Sequence, residues 1–501
     1  MSDTAQPAAE PLIVSVSGLR GVVGDSLTPD VAARYAAAFA TTLPPGSIVL
    51  GRDGRASGPL LAAAITARLV AAGRDVIDCG VAPTPTVGIA VRHTEAAGGI
   101  QISASHNPAR YNGLKLFAAE GRVLTATAGK EVLAAYERLG TRAAAGRQEG
   151  DDNLEADSLL EAGGELKADC KSAPRVEGRG PRVGRVTAID PTAAHVGLVT
   201  ALVDGAAIRR LRPRVWIDCG HGAGSRVALP LLEALGCEVV AVGGEPDGRF
   251  EHEPEPTAAN LAGLLPLVRS ERADIGLFLD PDADRLAIAD AAGVYLGEEA
   301  TLALCVEAVL AKTPGPVVVN CSTSGMTAAI AARHGVPCHV AAVGEANVVD
   351  AMLARGAVLG GEGNGGVIDP RVVLVRDAAI ALALVLERMC AGERLVPVAE
   401  LAATLPRFVM QKTKAALSPA TRGPGLAAGL DRIAAAFPDA MASRLDGLRL
   451  DYPGGWLLVR ASNTEPIVRL VAEQAVGEDG EAAAAAAVEA ALTRAAAALG
   501  S

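Results

Sequence analysis

Short apolar segments alternate with Ala- and Leu-rich amphipathic stretches along most of the chain, a pattern typical of α/β layers. In the first unit, residues 1–150, strands are predicted at Ser47–Leu50, Asp75–Asp78 and Gly98–Ile102, with helices at Gly58–Ala72 and Thr86–His93 between them. The spacing of these segments predicts a sheet covered by helices.

Two further α/β units follow. The second, residues 185–270, is predicted from the strand Arg214–Asp218, the helix Val227–Leu235 and the strand Glu238–Val242. The third, residues 271–400, is predicted from strands at Ala273–Leu279, Arg285–Ala289, Pro316–Asn320 and Cys338–Val343 and helices at Ala300–Ala311 and Thr327–His334. Residues 151–184 are rich in Gly, Ala and charge with weak periodicity, which predicts a linker with a helical piece near Leu154–Leu166.

The last hundred residues, 401–501, differ from the rest. Strands are predicted at Leu448–Asp451, Gly455–Arg460 and Pro466–Ala472, with helices at Gly425–Phe437 and Gly480–Leu499. This order favours a smaller α+β domain with an antiparallel sheet. The predicted fold class is therefore α/β, with three successive α/β units with mixed sheets, a C-terminal α+β domain and an active site in the central cleft.

Composition narrows the possible partners. The 501 residues carry a net charge of −11 and only 3% aromatics, which argues against nucleic acid as a ligand. The eight cysteines form no CxxC pair, so no structural zinc or redox dithiol is indicated. No signal peptide is visible, and the most apolar run, Ala378–Leu386, is too short to span a bilayer. We expect a cytoplasmic protein that binds no membrane, as a monomer or homodimer.

Three carboxylates alternate directly after an apolar strand, in the run Phe278-Leu279-Asp280-Pro281-Asp282-Ala283-Asp284-Arg285. Strand ends at this edge of a sheet are where α/β proteins place their ligands. Like charges packed together are costly unless a hard cation lies among them. The run predicts a divalent-cation loop; the alternative is an acidic surface turn.

A hydroxyl, an imidazole and an amine follow another strand. Ser105 and His106 lie in the run Ile102-Ser103-Ala104-Ser105-His106-Asn107-Pro108, and Lys115 follows ten residues after Ser105. Such a loop can hold a nucleophilic or phosphorylated Ser105, with His106 or Lys115 moving protons. The alternative is an ordinary turn that starts a helix.

Four other segments carry weaker signals. The glycine-rich run 359–367 contains Glu362 and Asn364, which suit sugar hydroxyls. Arg460 ends a strand before the turn residues Ser462, Asn463 and Thr464, a set suited to phosphate or to a simple hairpin. Arg20 lies in a Gly-flanked turn, and two further arginines lie in the run Arg52-Asp53-Gly54-Arg55. These segments could direct guanidinium groups into a shared cleft.

Together these motifs indicate phosphoryl transfer, because that reaction needs in-line positioning and charge neutralisation by a metal ion and arginine. The motifs are distributed over the first, third and fourth predicted units of the chain. The rival interpretations are a dinucleotide enzyme, based on the glycine-rich turn Asp218–Ser225, a metal-dependent sugar phosphatase, and a non-catalytic sugar-phosphate-binding regulator.

The motifs resemble those of the α-D-phosphohexomutase superfamily over nearly the whole chain. Ser105 matches the family's phosphoserine, and Asp280, Asp282 and Asp284 match its magnesium loop, with Pro281 in place of Gly. Glu362 and Asn364 match the sugar loop, and Arg20 matches the N-terminal active-site arginine. Arg460, Ser462, Asn463 and Thr464 match the phosphate loop.

The resemblance implies a mechanism and a ligand set. Phosphorylated Ser105 would exchange its phosphoryl group with a hexose phosphate through a bisphosphate intermediate. One Mg²⁺ per chain would be held by Ser105, Asp280, Asp282 and Asp284. Lys115, His106 and Arg20 are candidates for proton transfer and charge stabilisation, and Arg285 for substrate binding.

The sequence also departs from the family pattern. Gly366 stands where many relatives have His, and Asn364 where they have Ser. The run GEGNGG resembles a branch often assigned as phosphoglucosamine mutase, so we expect conversion of glucosamine 6-phosphate to glucosamine 1-phosphate. Phosphoglucomutase or phosphomannomutase activity is the alternative.

Overall fold

A computed structural model describes residues 10–148, 182–416, 424–461 and 467–500. The first domain contains β1 (Ile13–Ser15), β2 (Gly18–Val22), α1 (Pro29–Thr42), β3 (Ile48–Arg52), α2 (Gly58–Ala71), β4 (Val76–Val81), α3 (Thr84–His93), β5 (Gly98–Ile102), β6 (Tyr111–Ala118), α4 (Ala126–Gln148) and β7 (Val186–Ala188). Its strands form one mixed sheet in the order β1-β2-β6-β5-β3-β4-β7. Both β5 and β4 run parallel to β3.

The second domain contains α5 (Thr192–Thr200), α6 (Gly205–Leu211), β8 (Arg214–Asp218), α7 (Ser225–Ala234), β9 (Glu238–Val242), α8 (Leu265–Ser270), β10 (Ile275–Leu279) and β11 (Leu286–Asp290). Its sheet has the order β11-β10-β8-β9, with β8, β9 and β10 parallel and β11 antiparallel.

The third domain contains α9 (Glu298–Leu310), β12 (Val317–Asn320), α10 (Gly325–Arg333), β13 (Cys338–Ala341), α11 (Glu345–Arg355), β14 (Leu359–Glu362), β15 (Gly366–Ile368), α12 (Ala378–Met389) and α13 (Val398–Ala403). Its sheet has the order β13-β12-β14-β15, and β15 is antiparallel to β14. One continuous apolar core connects this domain to the first two.

The fourth domain contains β16 (Phe408–Ala416), α14 (Pro424–Ala436), β17 (Met441–Ser443), β18 (Leu448–Tyr452), β19 (Gly455–Ala461), β20 (Ile467–Ala475) and α15 (Gly480–Gly500). Its paired strands are antiparallel, which confirms the prediction. By length and composition alone α15 could cross a membrane, but Val488, Leu492 and Leu499 of this helix lie in the domain core.

The fold confirms the predicted mixed α/β architecture and corrects three boundaries. The second unit was predicted to start at residue 185, yet Val186–Ala188 pairs with β4 and belongs to the first sheet. The boundary at 270/271 was wrong because Ile275–Leu279 pairs with β8 of the second sheet. The boundary at 400/401 cuts Val398–Ala403, a helix of the third domain. Chain order alone could not show which sheet each of these segments joins. The predicted helical piece near 154–166 lies outside the described residues.

Candidate active site

The loop that carries Ser105 follows β5, whose residues are all buried. Ser105 adopts φ +50°, a left-handed conformation that non-glycine residues rarely adopt. Its backbone N–H donates to Ser103 Oγ at 2.9 Å, and Ser103 Oγ donates to Asp53 Oδ2 at 2.7 Å. Ser103 therefore belongs to the loop's internal bonding, whereas the hydroxyl of Ser105 faces other groups.

A buried guanidinium lies beneath this loop and fixes its shape. Arg55 donates to the carbonyl oxygens of Ser105 (2.7 Å), Asn107 (2.6 Å), Pro108 (2.8 Å) and Tyr111 (3.0 Å). Its Nε also pairs with the carboxylate of Asp53 at 3.0 Å. Sequence reasoning gave this arginine only a weak role. The useful signal was its place just after β3, the strand beside β5.

The acidic loop after β10 is completely buried. Asp280, Asp282 and Asp284 each have no exposed surface, and a set of their carboxylate oxygens lies within 4.8 Å of one another. Asp280 Oδ1 accepts the backbone N–H groups of Asp284 and Arg285, both at 3.1 Å. The loop is thus preorganised by its own backbone, and an acidic surface turn is excluded.

The serine and aspartate loops meet in space. Ser105 Oγ donates to Asp280 Oδ2 at 3.1 Å, although 175 positions separate them in sequence. Lys115 on β6 places Nζ 2.6 Å from Asp282 Oδ2 and 2.9 Å from Asp284 Oδ2. Two separate sequence predictions are brought together here as one site.

The charges of the site are strongly perturbed. Burial raises the pKa of Asp280 well above its usual value, and the neighbouring Asp284 and Asp282 raise it further. Burial would also raise the pKa of Asp284, but Arg376 and Lys115 reverse this and hold it below its ordinary range. Burial opposes the charge of Lys115, yet Asp282 and Asp284 raise its pKa, so it remains an ammonium.

These residues fit a hard divalent cation. Asp282 Oδ1 and Asp284 Oδ1 are buried without a hydrogen-bond partner, and Asp280 Oδ2 is bonded to the hydroxyl of Ser105. Free carboxylate oxygens next to a hydroxyl oxygen are the donors that Mg²⁺ prefers. A bound cation would offset the repulsion that raises the pKa of Asp280.

Two predicted catalytic side chains lie beside Ser105. His106 Nδ1 is 3.3 Å from Ser105 Oγ, and burial, followed by Arg285 and Arg20, lowers the His106 pKa to about 2. The imidazole is therefore neutral. Arg20 Nη1 donates to Asn107 Oδ1 at 2.7 Å, which places its guanidinium at the same loop.

The predicted sugar-reading loop follows β14. Glu362 is 5% exposed and accepts from Asn320 Nδ2 at 2.7 Å and Arg376 Nη1 at 2.8 Å. Arg376 also donates to Asp284 Oδ2 at 2.5 Å, so this one side chain links the sugar loop with the acidic loop. Sequence reasoning missed Arg376, because it stands outside every recognised motif. Asn364 Oδ1 accepts the N–H of Gly366 at 3.2 Å and shapes the turn.

Arg285 borders the acidic loop. Its Nη1 lies 3.5 Å from Glu255 Oε1, and its Nε lies 3.7 Å from Asp284 Oδ1. Glu255 is also 3.9 Å from His106 Nε2, so this carboxylate stands between the two predicted site residues.

Arg460 lies in the fourth domain, at the predicted phosphate turn. Its Nε is 3.1 Å from Asp446 Oδ2, and the same carboxylate oxygen accepts the N–H of Val343 at 3.1 Å. Asp446 thereby joins Arg460 to the third domain next to Gly344, whose N–H donates to Glu362. The predicted partners Ser462, Asn463 and Thr464 lie outside the described residues.

The first three domains meet directly behind the acidic loop. Thr84 of the first domain bonds to Asp282 of the second through its side chain, and its N–H donates to the carbonyl of Asp282 at 2.9 Å. Nearby, His195 of the second domain contacts Thr86 Oγ1 at 2.8 Å and Asp377 Oδ2 of the third at 2.9 Å. Sequence patterns gave no sign of these contacts, since the two partners in each contact come from different domains.

The glycine-rich turn after β8, the basis of the dinucleotide alternative, is packed against the acidic loop. The N–H of Ala223 donates to the carbonyl of Pro281 at 2.7 Å, and a Cβ at Gly222 would lie 2.4 Å from that oxygen. The glycines of this turn allow the close packing against the acidic loop.

Four sequence-family models match consecutive parts of the chain. They describe phosphoglucomutase/phosphomannomutase α/β/α domain I at residues 12–143, domain II at 193–293, domain III at 298–408 and the C-terminal domain at 425–492. The chain belongs to the phosphoglucomutase/phosphomannomutase family. This confirms the superfamily, the fold class and the mutase class predicted from the sequence.

Individual relatives agree with this membership. A phosphoglucomutase/phosphomannomutase of Thermococcus kodakarensis is 35% identical over 467 residues, covering 91% of this chain and 93% of the relative. A protein of Methanopyrus kandleri named probable phosphoglucosamine mutase is 31% identical, covering 91% and 92%. The crystal structure of a family protein from Burkholderia thailandensis is 26% identical, with TM-score 0.77 and 97% of each chain covered.

Proposed function

We propose that this protein is a phosphohexomutase that uses a phosphorylated Ser105 and one Mg²⁺. The observation that carries the proposal is the 3.1 Å contact between Ser105 Oγ and Asp280, with Lys115 held by the other two aspartates of the loop. A nucleophile beside a cation site and a buried ammonium is suited to phosphoryl transfer. A protein that only binds sugar phosphate would not need the nucleophile.

The proposed residue roles follow from the geometry. As the bond between phosphorus and Ser105 Oγ breaks, a new bond forms between phosphorus and a hydroxyl of the sugar. His106 lies beside Ser105 Oγ and is the proposed acceptor of the hydroxyl proton, because the negative charge of a phosphorylated Ser105 would raise its pKa. The ammonium of Lys115 can stabilise charge on the transferring group. Arg20 and Arg285 add positive charge at the loop. Mg²⁺, when held by Asp280, Asp282, Asp284 and the phosphorylated Ser105, supplies charge neutralisation.

For the sugar, we propose glucosamine 6-phosphate and glucosamine 1-phosphate, interconverted through the bisphosphate. Several relatives bear the name probable phosphoglucosamine mutase, which supports this choice. Glucose or mannose phosphate is the alternative, supported by the name of the Thermococcus relative at 35% identity. Glu362 and Asn364 are the proposed sugar-reading residues, and Arg460, Ser462, Asn463 and Thr464 the proposed phosphate clamp. We also propose a cytoplasmic location, with the chain acting as a monomer or homodimer.

The test is a coupled mutase assay with glucosamine, glucose and mannose 6-phosphates, together with a measurement of inorganic phosphate. A mutase converts its substrate with almost no phosphate release, whereas a sugar phosphatase releases phosphate stoichiometrically. Ser105→Ala should abolish turnover. Ser103→Ala is the matched hydroxyl control in the same loop, and it should lower activity without abolishing it. Stoichiometric phosphate release, or a fully active Ser105→Ala protein, would contradict the proposal.

A further inference from the structure

Arg376 lies just before α12 and is surrounded by carboxylates from three different segments. Besides Asp284 and Glu362, it contacts Glu345: its backbone N–H donates to Glu345 Oε1 at 2.6 Å, and its Nε lies 3.6 Å from Glu345 Oε2. The residue is only 8% exposed. A buried arginine with several carboxylate partners is held in one geometry, because breaking any pair would leave a buried charge unpaired.

The path of this side chain depends on a glycine. A Cβ added at Gly366 would lie 2.4 Å from Arg376 Cδ and 3.0 Å from Cγ. Real Cβ atoms do not approach other carbons so closely, so any side chain at position 366 would displace the arginine. Gly366 starts β15, the strand antiparallel to β14, and thus the sugar-loop hairpin itself makes room for Arg376.

Arg376 also limits how Glu362 can meet a ligand. A carboxylate offers about four acceptor positions. Asn320 Nδ2 and the N–H of Gly344 occupy Oε1, and Arg376 Nη1 occupies one position on Oε2. Among the described residues no further donor contacts Oε2, so one position on this oxygen remains, and its direction is set by the guanidinium.

We propose that Arg376, for which Gly366 leaves room, is a positioning residue. It orients Glu362 toward one substrate hydroxyl and connects Glu362 to the acidic loop. This inference rests on the proposed function, because the hydroxyl belongs to the substrate of that reaction. It adds Arg376 and Gly366 to the residues that take part. Because the guanidinium places a positive charge on Asp284, beside the cation site, its removal should leave Mg²⁺ binding unchanged or tighter while sugar binding weakens. A merely structural role predicts that both weaken together with thermal stability.

The experiment compares Gly366→Ala, Arg376→Lys and Arg376→Met in the full chain. Gly392→Ala is the matched glycine control, since the nearest atom to its Cβ would be 3.9 Å away. Arg371→Met is the arginine control, because Arg371 pairs with Asp369 in the same connecting segment. For each variant, kcat, KM, melting temperature and direct calorimetric binding of Mg²⁺ and of glucosamine 6-phosphate are measured.

We expect Arg376→Met to weaken glucosamine 6-phosphate binding about tenfold or more and to raise KM, with Mg²⁺ affinity equal to or above that of the wild type. Gly366→Ala should change the glucosamine 6-phosphate and Mg²⁺ affinities in the same directions as Arg376→Met does, although the arginine is still present. Arg376→Lys should bind glucosamine 6-phosphate more tightly than Arg376→Met but less tightly than the wild type. The inference is wrong if Gly366→Ala behaves like Gly392→Ala. It is also wrong if the Mg²⁺ and glucosamine 6-phosphate affinities of the Arg376 variants fall together with the melting temperature.

The calorimetric readout separates this inference from the proposed function. A wild-type protein that binds the sugar phosphate without converting it would overturn the proposed function, while the variant series still decides the role of Arg376. Normal mutase activity with an inert Gly366→Ala substitution would overturn the inference alone.

Discussion

Asp284 of the acidic loop and two glutamates at a domain junction are all buried, but their pKa values shift in opposite directions. In the acidic loop, Lys115 and Arg376 surround Asp284 and hold its pKa low, although burial alone would raise it. At the junction of the third and fourth domains, Glu299 and Glu473 are bonded mainly to neutral groups, and burial raises the pKa of both.

The partners explain the difference. Glu473 Oε2 accepts the N–H of Gly325 at 2.7 Å and the indole N–H of Trp456 at 2.6 Å, and Glu299 Oε2 accepts the N–H of Ser324 at 3.0 Å. The side chain of Lys412 is the nearby cation, 4.0 Å from Glu299 and half exposed. Close cations hold the pKa of Asp284 low, whereas burial without a close cation raises the pKa of Glu299 and Glu473, whose carboxylates connect two domains.

The largest effect is expected from the acidic loop. Asp282→Asn removes one anionic ligand and the pairing of Lys115 with it, so kcat should fall by about 10²-fold or more and Mg²⁺ affinity should drop. Steady-state kinetics and calorimetric Mg²⁺ titration check this. Glu473→Gln at the domain junction is the matched control and should retain Mg²⁺ affinity. Unchanged activity of the wild type after exhaustive chelation would contradict the metal role.

A large effect is also expected beneath the serine loop. Arg55→Lys replaces a planar five-donor fork by a point charge, so most of the four carbonyl contacts should be lost. We expect destabilisation of about 3 kcal/mol and about a tenfold or greater loss of kcat, measured by chemical denaturation and kinetics. Arg34→Lys, which alters a first-domain arginine outside the loop, is the control. Equal behaviour of the two variants would show that the loop does not depend on Arg55.

A smaller effect, confined to binding, is expected in the fourth domain. Arg460→Ala removes a charge-assisted contact worth about 1.5–3 kcal/mol, or roughly ten- to hundredfold in KM, with kcat changing less. Kinetics on the 1-phosphate and 6-phosphate in both directions measures this, and Arg460→Lys should recover only part. An effect in one direction only, or an unchanged KM, would mean that the phosphate is held elsewhere.

The smallest effect concerns pH and the domain junction. Burial raises the pKa of Glu299 to about 8, whereas the unfolded value is about 4.3. The folded state therefore holds a proton that the unfolded state releases, so the stabilising contribution is complete below about pH 4 and is lost as pH rises toward 8. Glu299→Gln has no titratable carboxyl at this position, so its stability should not show this loss.

Between pH 6 and 8, the wild type should lose up to about 2 kcal/mol of unfolding free energy relative to Glu299→Gln, measured by denaturant titration at both pH values. Glu400→Gln, an exposed glutamate of the third domain, is the control and should follow the wild type. Parallel pH dependence of wild type and Glu299→Gln would show that this carboxylate is already ionised in the folded protein.

The sequence allowed prediction of those parts of the site that are local in the chain. The acidic loop and the serine loop each follow a buried strand, so strand ends and residue types were enough to find Ser105, Lys115 and the three aspartates. Arg376 and His195 were not found in this way and Arg55 carried only a weak signal, because their roles depend on segments that only tertiary pairing brings together. The wrong boundary at 270/271 has the same origin: β10 joins the sheet of β8 through long-range pairing.

The proposed reaction requires that Ser105 carries the transferred phosphoryl group. The most direct measurement is intact-mass spectrometry of the purified protein before and after a single turnover with glucosamine 6-phosphate. We expect a fraction heavier by one phosphoryl group that is located at Ser105 and absent from Ser105→Ala. This group should exchange with isotopically labelled phosphate from the substrate. An active protein whose Ser105 never carries phosphate, or carries one that does not exchange with substrate, would contradict it.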